Sequence, residues 1–324
     1  SKTSYNGNYG LNASWTIYNG SKRLNTIKQE RLNNQVANLD VETSENSIQE
    51  SIAQIYIQIL YAAESVKVNE NTLQVSIAQR DRGQELLNAG SIAKSDFAQL
   101  EAQVSTDRYQ LVTAQATLQD YKLQLKQLLE LDGENEMNIY LPALSDENVL
   151  LPLPAKKDVY MSALTLRPEI EASKMNVEAS ELGIDIAKAG YLPTISLSAG
   201  IGTNHTSGSG FTFGEQVKNG WNNSIGVSVS VPIFNNRQTK SAVQKAKLQR
   251  ETSLLSLLDE QKTLYKTIEG LWLDANSAQQ RYAAANEKLK STQISYDLIS
   301  EQFDLGMKNT VELLTEKNNL LQAQ

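Results

Sequence analysis

Two proline-free stretches, 21–131 and 235–324, carry apolar side chains every three to five residues on a background of Gln, Asn, Ser, Lys and Glu. In the first, Leu24, Ile27, Leu32, Val36 and Leu39 are followed by Ile48, Ile52, Ile55 and Ile59. That spacing predicts amphipathic helix, and most of the residues between are good helix formers. A helix over 21–87 would be about 100 Å long at about 1.5 Å per residue. This is several times the usual length, so a long coiled coil or helical barrel is predicted. The apolar stripe is narrow. It buries one side against neighbouring helices and leaves the other wet, which suits a wall between two aqueous spaces better than the interior of a globule. Gly90 and Gly306 interrupt the two stretches.

A different period precedes each helical block. Over 9–18, Tyr9, Leu11, Ala13, Trp15 and Ile17 alternate with Gly10, Asn12, Ser14 and Thr16. Ile195, Leu197, Ala199 and Ile201 do the same over 194–202, as do Ile225, Val227, Val229, Val231 and Ile233 over 225–233. Period two over about nine residues predicts strands of the length that a tilted membrane-barrel strand requires. The segment 203–222 reads as a long, flexible, glycine-rich hairpin loop. Pro142, Pro152 and Pro154 mark 132–165 as a mixed connector, and a shorter amphipathic helix is predicted over 167–189.

The two halves superpose at one offset. Gly226 lies 216 residues after Gly10, as Ile233 does after Ile17, Asn235 after Asn19 and Gly306 after Gly90. Strand end, helix start and helix break therefore recur together, which predicts an internal duplication. The expected organisation is a first repeat over 1–131, a connector over 132–165 and a second repeat over 166–324. Because Ser1 aligns with Val217, the chain is expected to begin part-way through the first hairpin, with a helix and a strand upstream. The last helix is likewise expected to stop short at Gln324.

Composition narrows the function. Thirty Lys and Arg against 37 Asp and Glu leave a net charge of −7, which disfavours nucleic acid as a partner. There is no cysteine, so disulfides, thiolate metal sites and thiol nucleophiles are excluded. The single histidine, His205, leaves no cluster for zinc and reads as an exposed loop residue. The chain is 40% hydrophobic with a mean hydropathy of −0.40, and no apolar run is long enough for a transmembrane helix. Ser91-Ile92-Ala93-Lys94 matches the Ser-x-x-Lys of acylating enzymes but lacks its companion motifs, and an enzyme is not expected.

Four local motifs, in order, resemble those of the TolC-type outer-membrane efflux and secretion channel family. Ala163-Leu164-Thr165-Leu166-Arg167-Pro168-Glu169-Ile170 is similar to the family's opening of the helix before the second repeat's strands. Ala187-Lys188-Ala189-Gly190-Tyr191-Leu192-Pro193-Thr194 resembles its helix-to-strand junction, and Val231-Pro232-Ile233-Phe234 its exit from barrel strand to long helix. Phe303-Asp304-Leu305-Gly306, followed by Val311-Glu312-Leu313-Leu314, resembles the helical hairpin at the periplasmic tip. The resemblance implies a mixed, mainly α membrane protein and a homotrimer. Each protomer would give four strands, one of them absent here, to a shared outer-membrane β-barrel continued by a periplasmic α-helical barrel. It implies partnership with a periplasmic adaptor, an inner-membrane transporter and outer-membrane lipid, with no cofactor.

Asp96 and Glu312 are equivalent at the 216-residue offset, six residues past Gly90 and Gly306. By resemblance they face the pore near its closed end, where three protomers would form a cation-favouring carboxylate ring with some pKa values raised. Helix capping is the competing reading, since both sit where a first-turn acid meets the helix dipole. The family's second acid is replaced here by Gln99 and Thr315. Leu87, Gly90, Leu305 and Gly306 mark the tip where an adaptor would dock, and glycine also simply permits a left-handed turn. Trp15, Tyr18, Trp221 and Phe234 flank the strands as interfacial aromatics do, or as ordinary strand packing would. Trp272 is expected to pack between helices. The implied function is a passive exit duct of a tripartite efflux pump or type I secretion system, serving multidrug resistance among other cargoes. A soluble periplasmic coiled-coil structural or adaptor protein is the alternative.

Overall fold

The computed structural model describes residues 5–131, 137–142 and 148–324, so parts of the expected connector, and Ser1 with its alignment to Val217, lie outside the described residues. Its elements are β1 (Asn6–Asn19), α1 (Lys22–Asn88), α2 (Lys94–Leu128), α3 (Lys156–Leu166), α4 (Pro168–Lys188), β2 (Thr194–Thr206), α5 (Phe213–Asn219), β3 (Asn222–Ser230), α6 (Gln238–Asp304) and α7 (Thr310–Ala323). Several elements recur at one spacing. Both α1 and α6 are 67 residues long, and their first and last residues, like the first residues of α2 and α7, differ by the same 216 positions. Backbone conformation repeats too: Gly20 and Ser21 have φ of 66° and 65°, and their counterparts Asn236 and Arg237 have 50° and 61°. Each strand-to-helix junction thus passes through two consecutive left-handed residues, a conformation that redirects the chain within one step.

The chain divides into two compact units, one made of Ser1–Thr43 with Tyr160–Tyr265 and the other of Ser44–Val159 with Lys266–Gln324. The first holds an antiparallel sheet of order β1-β2-β3. Leu11 opposes Ile201, Ala13 opposes Ala199 and Ile225 beyond it, and Trp15 opposes Leu197 and then Val227, so one face is apolar. Gly10, Ser14, Ser198, Gly200, Ser224, Gly226 and their neighbours make the other face small and polar. A register shift between Thr16 and Tyr18 leaves Ile17 unpaired and brings Tyr18 opposite Ile195, so Tyr18 continues the apolar face. In the same unit α4 buries Ile170, Ala172 and Ala179. It bonds α1 through the Gln29 side-chain amide to Ala179 O (2.8 Å) and α6 through Ser180 with Ser253 and Arg250 with Glu181.

In the second unit α1, α2, α6 and α7 pack around Leu100, Phe303 and Leu313, with Leu86, Tyr296 and Leu314 against them. The residues 148–155 run along the helices: Trp272 Nε1 donates to Pro154 O (3.1 Å), and Gln279 donates to Val149 O and Leu151 O.

Several expectations are corrected. The glycine-rich loop is shorter than predicted, because β2 runs on to Thr206 and α5 forms within it. Thr212 opens a reciprocal capping box with Glu215, which nucleates that helix despite the glycines nearby. His205 therefore lies in β2 opposite Gly7, half-buried and edge-on to Phe213 at 5.1 Å, and is not an exposed loop residue. β3 ends at Ser230, short of Ile233: its partner β2 begins at Thr194, opposite Ser230, and Pro232 has no N–H to give a ladder. The connector carries a helix, α3, separated from α4 by the Pro168 junction. Trp272 donates to Pro154 O and lies under the ammonium of Lys156, the first residue of α3.

Candidate functional site

The chain reverses at Gly90 and Gly306, both with φ of 74°. At each, the glycine N–H bonds back three residues (to Leu87 O and Phe303 O), and the next N–H bonds back five (to Leu86 O and Gln302 O). This paired closure ends the helix and needs a left-handed residue after its last turn. Leu87 is half-buried, whereas Leu305, 69% exposed, and Met307 stand in solvent beside Gly306. Arg82 ties the end of α1 to the end of α6 through Asp304 O (3.2 Å).

Past each turn the helix restarts with an acid at its third position. Asp96 accepts from the Ala93 N–H at 3.3 Å, and Glu312 from the Asn309 N–H at 3.2 Å. Asn309 returns the bond, its side chain accepting from Glu312 N (2.9 Å), whereas Ala93 has no side-chain acceptor and completes only half of the box. Lys308 Nζ also reaches Glu312 at 2.6 Å. That ammonium, together with the Asn309 N–H, holds the Glu312 carboxyl below the usual carboxylate range. Within one chain, both acids are therefore caps, and both remain partly exposed.

The sheet places its aromatics in two groups. Tyr9, Phe213 and Trp221 lie toward the β2–β3 connection, with Tyr9 edge-on to Phe213 at 6.2 Å. Tyr18 and Phe234 lie toward the helices, with Trp15 one step inward on the apolar face. Trp15 (64%), Trp221 (54%) and Phe234 (82%) are exposed.

Sequence reasoning missed a charged cluster in the second unit. Ser76 from α1, Asp107 from α2 and Lys317 from α7 meet with almost no solvent access: the Lys317 and Asp107 side chains are 4% and 3% exposed. Lys317 Nζ donates to Asp107 Oδ2 and to Ser76 Oγ, Ser76 donates to Asp107 Oδ2, and Gln103 Nε2 donates to Asp107 Oδ1 at 2.8 Å. Burial pushes the Lys317 amine below its ordinary range, and the Asp107 carboxylate only partly offsets this. A serine beside a lysine is a nucleophile arrangement elsewhere, but here no substrate carbonyl could reach Ser76, which is 2% exposed. A cleft of about 430 Å³ in the first unit is lined by Gln29, Asn33, Asn176, Gln249, Ser253 and similar neutral side chains, and offers no acid or base.

Comparison with known proteins gives this geometry a context. The family profile described as outer membrane efflux protein matches residues 1–130 and 159–324. The chain is 24% identical over 322 residues to the outer membrane efflux protein BepC of Brucella suis biovar 1, covering 98% of this chain and 67% of that protein. It is also 24% identical over 304 residues to the outer membrane protein TolC of Escherichia coli K12, covering 89% of this chain and 59% of that protein. It thus spans about three-fifths to two-thirds of the length of these relatives. Among solved structures, CusC superposes with a TM-score of 0.83 at 19% identity, covering 99% of this chain and 77% of that one. The fold is that of the TolC-type channels, mainly α with a small sheet. Repeat, sheet and paired helical tips agree with the family profile over both halves, and the chain belongs to the outer membrane efflux protein family.

Proposed function

We propose that this chain builds the outer-membrane exit duct of a tripartite efflux pump or type I secretion system, conducting cargo passively from periplasm to outside. The observation that carries this reading is the pairing, in each repeat, of a strand with an exposed apolar face and a 67-residue helix. A sheet with one apolar face and one face of Gly, Ser and Asn suits a barrel wall between lipid and water. Tyr9 and Tyr18 are separated along β1 by roughly 30 Å at about 3.3 Å per residue. Tilted, that span fits an apolar band about 25 Å tall flanked by aromatic girdles, with Trp15, Tyr18, Trp221 and Phe234 at its margins. Closing such a barrel calls for further copies, and the resemblance to the family implies that they number three, a homotrimer. A soluble coiled-coil adaptor would leave the apolar sheet face unexplained.

The gate lies at the helical tips, with Asp96 and Glu312 bringing up to six carboxylates around one aperture. Leu87, Gly90, Leu305 and Gly306 form the surface on which a periplasmic adaptor docks, linking the duct to an inner-membrane transporter that supplies the energy. The repeat's matched Schellman turns and first-turn acids support placing both functions there. The test is planar-bilayer conductance of the detergent-purified full-length protein, with its mass measured in parallel. Wild type is expected to be trimeric with small, cation-selective, mostly closed events. Asp96→Asn with Glu312→Gln keeps a cap acceptor and removes the charge, and is expected to lower cation selectivity or raise conductance. An unchanged single-channel record rejects the gate assignment, and a detergent-independent monomer rejects the duct.

A further inference from the structure

The connection between β2 and β3 lies on one particular side of the sheet. Directly opposed residues of an antiparallel ladder share a face, so Tyr9 goes with Thr203, Leu11 with Ile201, and His205 with Gly7. All of these belong to the apolar face, which continues through Trp15 and Leu197. α5 packs on that face. Phe213 is edge-on to Tyr9 at 6.2 Å and to His205 at 5.1 Å, and the Thr203 hydroxyl donates to Val217 O at 3.0 Å. These contacts carry α5 over the apolar face rather than over the face of Gly, Ser and Asn. Because α1, α4 and α6 all join the sheet at its opposite end, α5 lies at the end remote from the long helices.

The backbone of this connection is satisfied from within. Gln216 spends both ends of its side-chain amide on it, accepting from Thr206 N at 2.8 Å and donating to Phe211 O at 2.9 Å. Val217 O, which Thr203 takes, is one of the last helical carbonyls, which lack a partner in the helix. At the other end of α5, Glu215 accepts from Thr212 N. A loop in water needs no such bonds, whereas a segment at membrane depth must satisfy its own polar groups. The side chains are divided as well. Phe211 and Phe213 are exposed beside Tyr9 and Trp221, while Glu215 and Lys218 are exposed on the helix itself. Apolar rings next to a polar helix surface match the boundary between acyl chains and headgroups.

Beside α5 the apolar face is hollowed. Tyr9, Leu11, Ile201, Thr203 and Trp221 are among the residues around a depression of about 510 Å³. Leu11 and Ile201 also border a second one, of about 630 Å³, where Ala13, Ala199 and Ile225 belong to the same face. The two form one trough that starts near α5 and continues along the apolar face.

From this placement we propose that α5 folds outward to form a lipid seat. It lies in the headgroup layer of the outer leaflet instead of across the mouth of the duct, and the trough between Tyr9 and Trp221 takes an acyl chain of a membrane lipid. Lys218 is the α5 cation that faces the lipid phosphate. The seat rests on the duct reading, which turns the apolar face to lipid. Its occupant follows from continuity with that face, since an apolar trough open along its length to acyl chains is filled by one of them.

The test uses full-length protein in nanodiscs of phosphatidylcholine and phosphatidylglycerol. Nitroxide labels are introduced singly through Gly214→Cys on α5, Leu11→Cys on the apolar face and Asn12→Cys on the opposite face. Residues 1–324 contain no competing cysteine, and a Cβ at Gly214 would meet nothing within 4 Å. Relaxation by oxygen, which concentrates in lipid, is compared with relaxation by a water-soluble nickel chelate. The oxygen-to-nickel ratio is expected to be highest for Leu11→Cys, several-fold lower for Asn12→Cys, and intermediate for Gly214→Cys. In parallel, Trp221 emission, taken as wild type minus Trp221→Phe, should lose most of its intensity when the acyl chains are brominated. A Gly214→Cys ratio equal to that of Asn12→Cys places α5 in water or over the mouth and overturns the seat. Trp221 emission indifferent to bromine overturns it too. In both cases a lipid-facing Leu11→Cys label leaves the duct standing. If that label also reports water, the duct reading has failed, and the seat with it. Should Trp221→Phe not assemble, the three label ratios decide.

Discussion

Alanine at Gly20 and at Gly90 separates two costs that the fold imposes on glycine. Both residues have left-handed backbones, with φ of 66° and 74°. For an L-residue that conformation costs about 1–2 kcal/mol, and alanine recovers about 0.4–1 kcal/mol by restricting the unfolded chain. At Gly90 a Cβ would meet nothing within 4 Å, so the net loss should be about 1 kcal/mol. Gly306 has the same φ and the same open surroundings and should behave alike. At Gly20 a Cβ would lie 2.8 Å from Leu192 Cβ and 2.9 Å from the Ala189 carbonyl oxygen. The carbonyl belongs to the turn after α4 and cannot swing aside as a side chain would, so overpacking adds about 1–3 kcal/mol. The expected total at Gly20 is about 2–4 kcal/mol. Hydrogen exchange of peptides covering each turn, in detergent-solubilised protein, reads these local opening free energies. Asparagine at Gly90, which tolerates the left-handed region, should lose less than alanine. Equal losses at Gly20 and Gly90, or a gain at Gly90, would refute the argument from backbone and space.

Leu313, with no solvent exposure and packed among Leu100 and Phe303, should lose about 3 kcal/mol as Leu313→Ala, seen as earlier thermal loss of helical circular dichroism. Glu312 gives the tip a pH dependence with a definite sign. Its carboxyl is held below the unfolded value by Lys308 and the Asn309 N–H, so its contribution is full above the ordinary carboxylate pKa and is lost as pH falls through the lowered one. Acidification through and below the ordinary carboxylate range should therefore increase proteolytic nicking near α7 in wild type, and Glu312→Gln should flatten that response.

Much of the fold was legible because its signals are local. A stripe of apolar residues at helical spacing needs no partner to be read, and neither does alternation through Trp15 or a glycine at each hairpin tip. The 216-residue offset was visible as well, since the turns and helix starts that recur at it use similar short motifs. One local signal was outweighed: Thr212 and Glu215 carry a capping box, readable as a helix start, inside a glycine-rich run.

Other features depended on partners far away in sequence. β3 stops at Ser230 because β2 begins opposite it, and a register shift leaves Ile17 without a cross-strand partner, neither of which its own strand records. Trp272 likewise meets Pro154 and Lys156, which lie far away in sequence. The buried cluster is the sharpest case. Ser76, Asp107 and Lys317 each sit in a helix as an unremarkable polar residue, and nothing in their local sequence marks them for burial. Periodicity thus determined which segments are helix or strand and where they turn. Only the packing of α1, α2 and α7 decided which charge would be taken out of water, because desolvation and pairing depend on what surrounds a side chain in space.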